Sequence, residues 1–110
     1  MVRGYRIEKF EDIEIFISRI KDFAENDIEC TPHTLFRLSE KQRKVFTCDE
    51  LKKSLMNEVP VKVGIQHNKN HAIYYKYKDQ KILKIIVSFK PSKVRIVTFY
   101  ILDKNQLPRG

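Results

Sequence analysis

The stretch that decides the fold is Val61–Leu102, VKVGIQHNKNHAIYYKYKDQKILKIIVSFKPSKVRIVTFYIL. In its first eight residues Val61, Val63 and Ile65 alternate with Lys62, Gly64 and Gln66, the period of two expected of a half-buried strand. The same reading gives four strands: Val61–Asn68, His71–Lys78, Ile82–Phe89 and Val94–Ile101. Turn residues separate them, Asn68-Lys69-Asn70, Asp79-Gln80 and Pro91-Ser92. Links this short make hairpins and exclude parallel crossovers, so the four strands form an antiparallel meander. The third is apolar on both faces (Leu83, Ile85, Val87 and Phe89 against Ile82 and Ile86) and reads as a central strand.

Upstream the period changes to that of a helix. Phe10, Ile13, Ile17, Ile20, Phe23 and Ala24 form one stripe, and Glu11, Asp12 and Glu14 suit the positive end of a helix dipole. The expected first helix runs from Phe10 to about Asn26. It is a covering element or a dimer contact. Thr31-Pro32 opens a second helix, threonine as N-cap and proline at the first helical position. Thr47-Cys48-Asp49-Glu50 is a capping box for a third, ending near Asn57 before Pro60. The expected fold is α+β: two or three N-terminal helices on one face of a four-stranded antiparallel sheet. The 110 residues suit a single domain, with a frayed tail from Asp103.

Charge is distributed unevenly. Residues 1–58 carry 11 basic and 12 acidic side chains, residues 59–110 carry 11 and 2, and the chain is +8 overall. A sheet this basic favours a polyanionic partner, nucleic acid first and an acidic protein second. No run is apolar enough for a membrane span and no signal peptide is visible, so the expected location is cytoplasmic. Cys30 and Cys48 have neither metal nor CxxC spacing and read as reduced thiols. His67 and His71 flank a hairpin turn and read as exposed.

Asp79 and Asp103 are the only acids of the basic half. Two-metal nuclease chemistry, which needs carboxylates around Mg²⁺, is therefore not expected, and no cofactor or metal is implied. The side chains fit metal-independent phosphodiester cleavage better. A base takes a proton from a ribose 2′-OH, an acid protonates the leaving oxygen, and cations hold the developing charge. His33 and Tyr100 are candidate acid–base groups, with Arg37 and Lys76 as cations. Tyr74, Tyr75, Tyr77, Lys78, Lys84, Arg43 and Arg95 are candidate RNA contacts. The run Tyr74-Tyr75-Lys76-Tyr77-Lys78 interleaves stacking platforms with phosphate-binding cations.

His33-Thr34-Leu35-Phe36-Arg37, then Arg43-Lys44-Val45, the capped helix and the closing Val94-Arg95-Ile96-Val97-Thr98-Phe99-Tyr100 resemble a family of small domains grouped with the RelE/ParE-like toxins. That group belongs to the barnase–EndoU–colicin–RelE ribonuclease fold. The resemblance spans about Cys30 to Ile101 and leaves residues 1–29 outside. It implies a metal-independent endoribonuclease of toxin type, acting on RNA such as ribosome-bound mRNA and controlled by an acidic antitoxin. Lys44 stands where the family often has glycine. Two alternatives remain: a non-catalytic nucleic-acid-binding module, and a protein-interaction domain for an acidic partner.

Overall fold

The computed structural model describes residues 6–30 and 47–108. Within them the order is β1 (Ile7–Glu11), α1 (Ile13–Ile20), a 3-10 turn (Glu25–Asp27), β2 (Ile28–Cys30), α2 (Cys48–Asn57), β3 (Lys62–Gln66), β4 (His71–Lys76), β5 (Lys81–Phe89), β6 (Val94–Asp103) and a final 3-10 turn (Lys104–Gln106). The helix expected from Thr31, with His33, Arg37 and Arg43, lies outside the described residues.

All six strands belong to one sheet, ordered β1-β3-β4-β5-β6-β2. Strands β3 to β6 are the meander, each antiparallel to the next. The expected four-stranded antiparallel sheet is nevertheless incorrect. The sheet is six-stranded and mixed, with β1 antiparallel to β3 on one edge and β2 parallel to β6 on the other. Two α-helices occur among the described residues.

Phe10 and Glu11, expected to open the first helix, belong instead to an edge strand, Ile7–Glu11. A bulge between Ile7 and Lys9 breaks its alternation, so no period of two is visible in the sequence. The helix begins only after Asp12, whose backbone is extended, and ends at Ile20.

Both helices cover the same face. Phe16 and Ile20 of α1 and Leu51 and Leu55 of α2 meet Val63, Ile73, Tyr75, Leu83, Ile85, Val87, Ile96 and Phe99 in the main core. Helix α2 starts as its capping box requires. The Glu50 N–H donates to Thr47 Oγ1 at 3.2 Å and the Thr47 N–H to Glu50 Oε1 at 3.2 Å.

Cys30 at the end of β2 and Cys48 at the start of α2 form a disulfide, Cα–Cα 6.1 Å. This corrects the reading of two free thiols. The pairing depends on β2 docking beside β6, a contact between residues far apart in sequence. Among the described residues no helix is long and apolar enough to cross a membrane.

Candidate nucleic-acid interface

The face that neither described helix covers carries a smaller apolar cluster of Ala72, Tyr74, Ile82 and Ile86, edged by Ile7, Val97, Leu102 and Leu107. Its chemistry is set by register. Lys62 lies opposite Tyr74, Tyr74 opposite Lys84, and Lys84 opposite Tyr100. Residues directly opposite in a ladder share a face, so one row across β3, β4, β5 and β6 reads Lys62–Tyr74–Lys84–Tyr100.

The row is held by cation–ring contacts. Lys84 Nζ lies 5.6 Å from the Tyr74 ring centre and 5.7 Å from that of Tyr100. Both are within the ~6 Å at which an ammonium is attracted to a ring face. Partial burial of Lys84 pulls its pKa down, because desolvation disfavours the charged form. At the other end Lys62 Nζ lies 4.7 Å from the Phe10 ring centre on β1 and donates to the Pro108 carbonyl at 2.7 Å.

The expected contact residues divide between the two faces. Tyr74, Lys76, Lys84, Arg95 and Tyr100 occupy the open side by register. Tyr75 does not: it is 1% exposed in the main core beneath the helices. Tyr77 packs half-buried against that same core. The alternation of a strand forbids Tyr74 and Tyr75 from facing one ligand, so Tyr75 and Tyr77 leave the RNA-contact set. Lys78 is exposed in the β4–β5 turn, its Nζ 5.2 Å from the Tyr77 ring centre. Arg95 is engaged by the neighbouring strand: its Nε donates to Glu29 Oε1 at 3.1 Å. That bond is the main cause of the lowered Glu29 pKa.

Tyr100 remains 43% exposed, which leaves its ring available for stacking. Tyr74 is 1% exposed, and burial pushes its hydroxyl up to about 12. A group titrating so high is a poor base near neutrality. Its role in the row is to seat Lys84.

Lys62 was missed as a site residue. Its signal was its place as a polar position in the first alternating strand, but choosing it required the β3–β4 register. Leu107 was missed because the tail was expected to fray. The tail is instead ordered through Pro108: Leu107 packs on the open-face cluster, and the Lys104 N–H donates to the Gln80 carbonyl at 2.8 Å.

The helix-covered face holds a second titratable group. His71, expected to be exposed, is 5% exposed. Its ring meets Phe89 edge-on with centres 4.8 Å apart, and its Nε2 lies 3.4 Å from Glu11 Oε2. The Arg19 guanidinium covers the other part of this corner, 4.1 Å from the Phe89 ring centre. Burial lowers the His71 pKa to about 4, with Arg19 adding to the shift, while burial raises that of Glu11. Among the described residues no group of three His, Cys, Asp or Glu side chains could hold a metal ion.

No protein-family model matches the chain, and neither a curated protein nor a solved structure does.

Proposed function

We propose that the open face of the sheet binds single-stranded RNA. The observation that carries this reading is the Lys62–Tyr74–Lys84–Tyr100 row, in which cations alternate with rings across four adjacent strands. Phosphates attract the ammonium groups without regard to sequence, while an unstacked base lies on the exposed Tyr100 ring. The excess of 11 basic over 2 acidic side chains in residues 59–110 supports the same partner.

Cleavage of the toxin type adds one requirement, a group that accepts the 2′-OH proton near neutral pH. The open face supplies cations at Lys76 and Lys84, but its buried tyrosine titrates too high. The nuclease reading therefore rests on His33 and Arg37 together with the RelE-like resemblance. An mRNA target would place the chain in the cytoplasm. Thiols there are kept largely reduced, so RNA binding is expected to tolerate an open Cys30–Cys48 pair.

The test is fluorescence anisotropy with end-labelled single-stranded RNA in EDTA, repeated across a salt series, with the same samples run on a gel for cleavage. Binding should weaken steeply with salt. Tyr100→Ala should weaken it about tenfold, the worth of one stacked base, and Lys84→Ala should weaken it further. Equal binding by wild type and both variants sinks the open-face reading. Cleavage in EDTA that disappears in His33→Ala establishes the nuclease, whereas binding without cleavage leaves the non-catalytic module. Binding to an acidic protein but not to RNA moves the function to the protein-interaction alternative.

A further inference from the structure

At one end of the open face, beyond the Lys84 row, lies a cavity of about 230 Å³. Val61 at the entry to β3, Ile82 and Leu107 supply its apolar lining, and Lys76, Lys78 and Lys104 stand around them. Lys81 also lines it but forms an ion pair with Asp103 at 2.5 Å. Among the described residues no carboxylate pairs with the other three lysines. Asp79 is the one acid in the lining. The cavity thus combines an apolar floor with an excess of cations.

Its walls are preformed. The β4–β5 turn closes through Lys81 N–H to Lys78 carbonyl at 2.9 Å, with Gln80 in the left-handed region at φ 64°. The Lys104 N–H to Gln80 carbonyl bond then ties the C-terminal turn to that loop. The loop stands on one side and the C-terminal turn on another, while Lys76 lies toward the sheet, where it is opposite Ile82.

We infer that this cavity receives the phosphorylated end of an RNA strand, the terminal phosphate among Lys76, Lys78 and Lys104 and the terminal base against Ile82 and Leu107. The inference rests on the open-face RNA reading for the strand and adds the identity of its end. Size sets one limit: at about 230 Å³ the volume is below the ~300–1,000 Å³ of pockets for drug-sized ligands, which excludes anything larger than one terminal nucleotide. Shape sets a second, because a pocket walled by the loop and the C-terminal turn takes a chain end more readily than a continuing strand. Charge selects the phosphate. A terminal phosphomonoester carries about −1.5 to −2 at pH 7 against −1 for each internal phosphodiester, and lysine binds phosphate as a point charge.

The experiment compares three short RNAs of one sequence, ending in 5′-phosphate, 3′-phosphate or hydroxyl only, by anisotropy at fixed salt. In parallel, AMP and adenosine are titrated into ¹³C-methyl-labelled protein, read at Ile82 and Leu107. One phosphorylated RNA should bind at least about tenfold more tightly than the hydroxyl-ended RNA. In Lys104→Ala that ratio should fall to about one. AMP but not adenosine should shift the two methyl groups. Equal binding of all three RNAs with no AMP shifts overturns the inference and leaves the open-face reading intact. No RNA binding at all, with AMP shifts retained, overturns both the open-face reading and the RNA end, and leaves a pocket for a free mononucleotide. Neither RNA binding nor AMP shifts overturns both.

Discussion

His71 shows how far one position can depart from its local sequence. It opens β4 directly after a turn, which suggests exposure, yet it sits under Phe89 and beside Glu11. Its folded pKa of about 4 lies below the ordinary 6.5, so between these values the unfolded chain binds a proton that the folded chain refuses. Stability is then greatest above about pH 6.5 and falls as pH drops toward 4. The loss from this group approaches about 3 kcal/mol if the whole shift is realised. Glu11 acts in the opposite sense. Its raised pKa means that the folded chain takes up its proton first, which recovers part of the loss on acidification. Denaturant unfolding of wild type and His71→Leu from pH 7 to pH 4 checks this: the wild-type midpoint should fall with acid and that of the variant should fall less. Parallel curves would show that His71 does not titrate as described. Tyr74 and Tyr75 make the related point for the open face. Adjacent and identical in type, they differ in role because a strand sends them to opposite sides.

At the scale of elements, legibility followed how local the signal was. The four meander strands were readable because alternation and turn residues are properties of short windows. Helix α2 was readable from Thr47 and Glu50 alone, and its cap makes a clean prediction. Thr47→Ala removes the acceptor for the Glu50 N–H and should cost about 1 kcal/mol, measured as a lower midpoint with an unchanged denaturant slope. Thr47→Ser should retain most of the stability. Strands β1 and β2 were not readable. The bulge in β1 hides its period, and β2, Ile28–Cys30, has only three residues, whose extended form is imposed by β6. The first helix was drawn too long because Phe10 and Phe23 fit a helical stripe by spacing. Phe10 instead lies in β1 opposite Gly64, where the absence of a side chain matters: a Cβ on Gly64 would come within 3.0 Å of Ile7 Cδ1. The open-face row belongs to the same class of feature. Its members were visible as lysines and tyrosines, but their order across the sheet exists only once the registers are known.

For the molecule as a whole, the Cys30–Cys48 bond closes a loop of separation 18 between the last strand of the N-terminal segment and α2. In the chain-entropy account a closure of this length contributes about 3 kcal/mol by restricting the unfolded chain. Dithiothreitol should lower the unfolding free energy by that amount, seen as a lower midpoint, and Cys30→Ala/Cys48→Ala should reproduce the change and no longer respond to reductant. RNA affinity should remain the same in both states, because the proposed contacts lie on the face away from the helices. A loss of affinity on reduction would instead place part of the binding surface in the loop that the bond closes.

The two edge strands carry a further consequence. Residues 7–30 supply both β1 and β2, which flank the meander from opposite sides, while α1 spans the covered face between them. Ile28 pairs with Val94, and Glu11 with Val63. During synthesis, then, this segment leaves the ribosome before either of its partners exists. The meander can assemble from neighbouring hairpins, whereas each flank joins strands far apart in sequence, β1 with β3 and β2 with β6. Folding is therefore expected to be slow for the number of residues involved, and until the flanks pair, both outer strands of the meander expose unpaired backbone.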